Sequence, residues 1–465
     1  MHSDVLTSGD DNHHRALVKK QLQAGKINYL FVVDLFNEGV DIPEVDTILF
    51  LRPTESATVF LQQFGRGLRL HKGKDHLTVL DFVGHSRAEF SYKDRFEALI
   101  GRHSRNIKEE IEGGFTNAPF GCKIVLEEKA KEEILANIDG YLRSINRSRI
   151  VKEIAAYHKV CNGQFSLKGF LAYSHIPFYK IYGSLTWGEM CQMAGVRSEV
   201  SAHSAQIKFA VTKKWLATDS FSYFTQLLRF VESGFRCDTL TFSEQQKRCA
   251  VMLYYDLYDK AGTYASIEEM FRDLASDQLF IQELHEVVDY LRDRRSAPEK
   301  ADNSVYKEWN PLRLHGVYSK AQIQAALGLS TIERKSTSRE GMERLKGIKL
   351  EAMYVDIIKK REEGSMTAYK DYAQSREFFH WETQNRVREG SREAEAYRNG
   401  ENNMLLFVRQ QVEHPDYGCR MGFTYLGQVT MKSIEGSKPM QIVWQLNTPM
   451  SEATYAFASQ YKAIG

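Results

Sequence analysis

The spacing of apolar residues changes twice along the chain, and each change marks a different kind of structure. Up to about residue 104, short continuous apolar runs alternate with helical spacing. "INYLFVVD", "DTILFLRP" and "HLTVLDFVG" read as buried strands, the second closed by Pro53. Ahead of them, "DDNHHRALVKKQLQAG" offers Asp11 or Asn12 as a cap, Val18 and Leu22 one turn apart, and Gly25 as a stop. A further helix is predicted through Ala57–Phe64. Strands of this kind separated by helices predict a parallel sheet covered on both faces.

From about 105 to 300 a helical period takes over, opening on the charged stretch "VLEEKAKEEILANI". In "SLKGFLAYSHIPFYKIYGSLTWGEMCQMAGV", Pro177 and Gly183 break short helices, with Ser166 and Thr186 as caps. A helix-turn-helix gives this pattern, and so does ordinary helical packing. From 301 onward one capped helix, "YSKAQIQAALG", gives way to strands. In "MQIVWQL", Ile442, Trp444 and Leu446 face one way and Gln441, Val443 and Gln445 the other. "NMLLFVRQQ" and "FTYLGQVTMKS" read the same way. The predicted fold is multidomain: α/β over 1–104, helical over 105–300 and β-rich over 301–465.

Composition adjusts this picture only slightly. A chain of 465 residues is too long for one ordinary core, and 43% hydrophobic with 26% charged residues is usual for a soluble protein. Lys plus Arg (62) nearly cancels Asp plus Glu (60), so there is no global basic field, although a local basic groove remains open. The apolar runs fall far below the roughly 20 residues of a membrane span. The opening "MHSDVLTSGDDNHHR" has no signal-peptide core. Six scattered cysteines without a CxxC pair argue against a disulfide framework or a thiolate zinc site, and suit a reducing cytoplasm.

Candidate chemistry concentrates in the first hundred residues. In "FNEGVDIP", Gly39 leaves backbone space beside the Asp41 carboxylate, which suits a ribose hydroxyl or a metal-bound water. A plain turn between strands fits the same residues. "QQFGRGLR" is more specific, because Arg66 and Arg69 share one face if the segment is helical. Guanidinium forks match phosphate oxygens and the charge that develops in phosphoryl transfer. A solvated basic helix end is the bland alternative.

Together these motifs make residues 1–104 resemble the second RecA-like domain of superfamily 2 helicases, with "FNEGVDIP" as motif V and "QQFGRGLR" as motif VI. The resemblance implies that Gly39 and Asp41 line the nucleotide side of a cleft between two RecA-like domains. It implies that Gln62 reaches the nucleotide, and that Arg66 and Arg69 are arginine fingers on ATP with Mg²⁺. Many relatives carry Arg where Gln63 stands, so the resemblance assigns Gln63 no role. "LTVLDFVGHSRAEF", "TAYKDYAQSREFFHWETQN", "LLFVRQ", "FTYLGQVT" and "PMQIVWQL" resemble bacterial helicases ending in an uncharacterised β-rich domain, often grouped with restriction and phage-defence enzymes.

A complete enzyme of that kind also needs G-x-x-x-x-G-K-[ST] and an acidic Mg²⁺ box. Neither occurs here; "AGKI" and "KGKD" lack the following Ser or Thr. The chain is therefore expected to be the C-terminal part of a longer enzyme, or half of a split one whose partner brings the first RecA-like domain. It is not expected to hydrolyse ATP alone. An incomplete sheet is expected to expose a strand edge and apolar surface. DNA is the other expected partner.

The C-terminal stretch "YKDYAQSREFFHWETQN" raises a separate possibility. Tyr372, His380 and Trp381 are candidate nucleic-acid contacts, with aromatic rings for stacking and His380, Glu382 and Gln384 for a base edge. A core aromatic cluster with His380 hydrogen-bonded inside is the competing reading. Other classes find little support. "HKGKD" has the wrong spacing for phospholipase-D-type cleavage, His13–His14 lacks partners at metal spacing, and no G-x-S-x-G elbow appears. A non-catalytic nucleic-acid-binding or partner-binding module is the alternative function.

Overall fold

The computed structural model describes residues 2–7, 9–32, 42–51, 57–69, 71–72, 74–82, 92–100, 107, 110–111, 114–115, 121–174, 176–294, 298–302, 304–338, 341–345, 347–359 and 370–459. The chain divides into two compact units, Met1–Ile145 and Asn146–Gly465. The breaks drawn from the sequence at 104 and 300 fall inside these units.

In the first unit, β1 (Ser3–Leu6) pairs in parallel with β2 (Tyr29–Val32), and β3 (Thr47–Phe50) with β4 (Thr78–Asp81). Helix α1 (Asn12–Gln23) begins as expected, with Asp11 accepting from the His14 N–H at 2.7 Å. It buries Val18 against Leu6 and Ile27, and Gly25 follows it at φ +67°. Helix α2 (Ala57–Gly67) lays Phe60 on Phe50, ring centroids 5.1 Å apart.

Each ladder is thus covered by a helix on one face. The other face carries Val5, Tyr29, Phe31, Leu49 and Leu80, all 44–50% exposed. Val5 lies in register with Phe31 and Leu49 with Leu80, so the apolar side chains are paired across each ladder. Cover on both faces, the expectation from continuous apolar strands, is not what forms here. The exposed apolar surface expected of an incomplete sheet is present.

Farther along, α3 (Tyr92–Ile100) and α4 (Glu128–Ser144) share a small core of Tyr92, Phe96, Ile100, Ile134 and Ile138.

The second unit begins with nine helices among the described residues: α5 (Arg147–Val160), α6 (Leu167–Ser174), α7 (Phe178–Tyr182), α8 (Trp187–Met193), α9 (Ser204–Lys213), α10 (Phe221–Glu232), α11 (Glu244–Leu257), α12 (Ile267–Ser276) and α13 (Gln278–Asp293). The anticipated caps appear: Ser166 Oγ accepts from the Gly169 N–H, and Thr186 forms a capping box with Glu189. No described helix is long and apolar enough to cross a membrane.

After β5 (Val317–Tyr318) and the capped helix α14 (Lys320–Ala326) comes a sheet of β6 (Met342–Leu345), β7 (Leu350–Asp356), β8 (Tyr372–Ala373), β9 (Phe378–Glu382), β10 (Asn403–Arg409), β11 (Phe423–Gly436) and β12 (Met440–Leu446). Their order is β6-β7-β10-β11-β12-β9-β8, with β5 on β11; β7 and β10 are parallel and the other pairs antiparallel. The sheet curls on itself, so Met353 and Val355 of β7 share one core with Phe379 and Trp381 of β9. Helices α15 (Arg392–Arg398) and α16 (Glu452–Ala458) flank it.

Strand β12 alternates as read, with Ile442, Trp444 and Leu446 buried and Gln441 and Gln445 exposed. Strand β10 and the first half of β11 do not alternate; both faces are buried. Their second face is covered by segment 302–318, where Tyr425 Oη donates to Asp302 at 3.2 Å and the Tyr425 N–H to the Gly316 carbonyl. Gly427, at φ +85°, sits beside the bulge in the β10–β11 pairing.

Candidate functional site

Helix α2 carries most of "QQFGRGLR", and its packing explains one glycine of that motif. A Cβ on Gly67 would stand 2.8 Å from Ile48 Cδ1 and from both Leu77 Cδ atoms. The helix end therefore packs closely on these side chains, and a larger residue would have to displace their tips. Gly65 has open space instead. The helix stops at Gly67, so Arg69 lies beyond it, exposed, and the helical condition for a shared face of the two arginines is not met. Gln62 is exposed. Arg66 occupies the last helical turn, with its side chain outside the described ones. Gly39 and Asp41 also lie outside the described residues.

The segment just past α2 makes a joint that the sequence did not announce. Lys74, from "KGKD", reaches back and donates to the carbonyls of Pro43 (3.2 Å), Arg69 (3.3 Å) and Gly67. Pro43 ends "FNEGVDIP", so one ammonium holds the end of that motif against the end of the next. Lysine near a helix C-terminus also meets orphan carbonyls and the negative end of the dipole. That rule was the one available signal for it.

A second cation supports α2 from below. Arg95 of α3 is buried, with its guanidinium carbon 3.8 Å from the Phe60 ring centroid and Nη2 2.9 Å from Asp81 Oδ2. Burial lowers the Arg95 pKa and raises that of Asp81, each against the pull of the other. The pair thus locks β4, α2 and α3 together. A lone Arg in "KDRFEALI" gave no hint of this.

The C-terminal aromatics separate. Tyr372 and His380 stack on each other, centroids 4.9 Å apart, and His380 Nδ1 lies 2.7 Å from the Lys370 carbonyl. His380 is buried, as the core reading anticipated. Trp381 is 8% exposed and belongs to the sheet core, set edge-on to Tyr397. Three rings standing free for stacking is not the arrangement here. Helix α8 likewise buries Trp187, Gly188, Met190 and Cys191, leaving little face for a DNA groove.

Comparison with known proteins finds likenesses in two parts of the chain. The helicase conserved C-terminal domain matches residues 1–71, and a domain of unknown function (DUF3427) matches residues 312–458. The putative ATP-dependent helicase IRC3 of Saccharomyces cerevisiae is 38% identical over 86 residues, covering 18% of this chain and 12% of that protein. The UvrABC system protein B of Xanthomonas campestris is 28% identical over 166 residues, or 34% and 22% of the two chains. A 51.5 kDa protein of a Lactococcus phage is 35% identical over 102 residues, or 21% and 22%.

The chain thus spans between an eighth and a quarter of these relatives' lengths. Solved structures that align include domain 2 of the DEAD-box helicase Mss116p bound to an RNA duplex (16% identity, TM-score 0.18, 42% and 63% coverage) and the ATP-dependent Type ISP restriction-modification enzyme LlaBIII bound to DNA (13%, 0.20, 67% and 21%). At those scores neither fixes the fold. The sequence matches thus give residues 1–71 a likeness to the helicase conserved C-terminal domain.

Proposed function

We propose that this chain supplies the C-terminal part of an ATP-dependent superfamily 2 DNA helicase or translocase in a restriction or phage-defence setting. Its first unit brings Arg66 and Arg69 to a nucleotide held by a first RecA-like domain from elsewhere. Gln62, Gly39 and Asp41 would face the same ATP and Mg²⁺, and the second unit would engage DNA. The observation that carries this is the Lys74 clasp, which joins the ends of both motifs beside the helicase-domain match. Guanidinium groups at such a junction would stabilise charge on a transferring phosphoryl group.

The test is to add a first RecA-like domain, in cis or in trans, and measure DNA-stimulated ATPase. Arg66→Ala with Arg69→Ala should cut turnover by about 10³–10⁵ while leaving passive DNA binding nearly unchanged. Failure to gain ATPase at any stoichiometry would favour a pure binding module.

A further inference from the structure

Where the two ends of the curled sheet meet, a cavity of about 440 Å³ opens between β7, the residues after β9, and α15. That volume lies in the usual range for a small-ligand site, and the mouth of a curled sheet is a usual place for one. One wall is Trp381, and Tyr397 meets it edge-on at 87°, centroids 6.1 Å apart. The two rings form a corner with apolar surface on both sides.

The polar lining narrows the ligand class. Glu382 is 8% exposed; its Oε2 accepts the Lys370 N–H at 2.8 Å, while Oε1 has no partner among the described residues. Gln384 follows two residues on, its carboxamide likewise without a partner among the described residues. Three cations line the cavity, and each is already paired: Arg344 with Glu351, Lys359 with Asp371, and Arg386 with Glu393. Five carboxylates against three cations disfavour an anion. No described cluster of His, Cys, Asp and Glu would hold a metal. The aromatic corner and the Glu382 acceptor suit a planar ring that stacks and donates hydrogen bonds, and an organic cation is the rival that the experiment must separate from it.

We infer that this cavity takes a single nucleobase bearing an exocyclic amino group, displaced from its strand. Such a base has π-faces for Trp381 and N–H donors for Glu382 Oε1, while Gln384 both donates and accepts, as base-edge reading requires. Tyr372 and His380, stacked on each other, are not part of it. The inference rests on the proposed DNA-binding role only in that a strand delivers the base.

The experiment measures binding of the full chain to a duplex with one bulged adenine or cytosine, the same duplex with a bulged abasic site, and free adenosine and cytidine. The variants are Glu382→Gln and Gln384→Ala. Gln384 is exposed, so its variant tests the site without touching the core; Trp381→Ala is a secondary probe because that ring belongs to the core. The expected result is about tenfold preference for the bulged base over the abasic site, lost in both variants at unchanged urea midpoints. Equal binding of both duplexes would overturn the site while leaving the helicase reading intact. Nucleoside binding without any DNA binding would overturn delivery by a strand, and the DNA reading with it. Tight binding of a trimethyl-lysine peptide instead, lost in Glu382→Gln, would also overturn the proposal.

Discussion

The two units solve the burial problem in opposite ways. In the first, α1 and α2 each cover one face of a ladder, and the opposite faces leave Val5, Phe31, Leu49 and Leu80 about half exposed. In the second, β10 and β11 are buried on both sides, and charged groups sit deep inside with partners. Asp256 Oδ2 accepts from Trp215 Nε1, Tyr223 Oη and Gln322 Nε2; Glu283 accepts from Tyr182 Oη and the Gly188 N–H. The difference teaches that recognisable motifs and self-sufficient packing need not occur together. The unit whose chemistry is readable leaves apolar surface uncovered, and the unit with the finished core has the obscure chemistry.

Breaking the second unit's buried network should give the largest stability effect. Glu283→Ala strands the Tyr182 hydroxyl and the Gly188 N–H in the core. A loss of about 2–5 kcal/mol is expected in urea unfolding. A loss below about 1 kcal/mol would mean that water already serves those donors.

Next comes a pH effect. Burial pushes the Asp256 carboxyl up to about 6, despite its three donors. The folded state therefore holds that proton more tightly than the unfolded chain, whose value is near 4. Stability from this group is full below about pH 4 and declines as pH rises through about 6, by on the order of 2–3 kcal/mol. Asp256→Asn should flatten that part of the stability–pH curve. An unchanged slope in the variant would assign the effect to other groups.

In the first unit, Gly67→Ala should cost about 1–3 kcal/mol by pushing α2 off Ile48 and Leu77. Gly65→Ala, in open space, should be neutral or stabilise by up to about 1 kcal/mol. Equal effects in thermal melts would contradict the packing contrast. The smallest change is expected on the uncovered face. Leu49→Lys with Leu80→Glu should shift stability by no more than about 0.5 kcal/mol and reduce self-association in sedimentation. A loss above about 2 kcal/mol would show that this face is covered within the chain.

Local features were legible in the sequence. The Asp11 cap, strands β2 to β4 of the first unit, the Thr186 cap and the alternation of β12 all come from short-range rules. Contacts between distant segments were not. The second cover on β10 comes from segment 302–318, about a hundred residues upstream, so its apolar run looked like a one-sided strand. The end of α2 at Gly67 depends on Lys74 and on packing against Ile48 and Leu77. The cavity at Trp381 needs β7 and α15, and a stretch of tyrosines and histidine could not say which rings would pair with each other and which would face an opening.

Lys74 has a consequence for how this region tolerates change. Its joint is made to three carbonyls, and every amino acid brings a carbonyl. Positions 43 and 69 can therefore drift without loosening the clasp, whereas position 74 must keep a long side chain with several donors. Acetylation would leave that side chain a single N–H where it had three, enough for one carbonyl and not for all. The ends of the two motifs, now fastened at one point, would then be free to move separately.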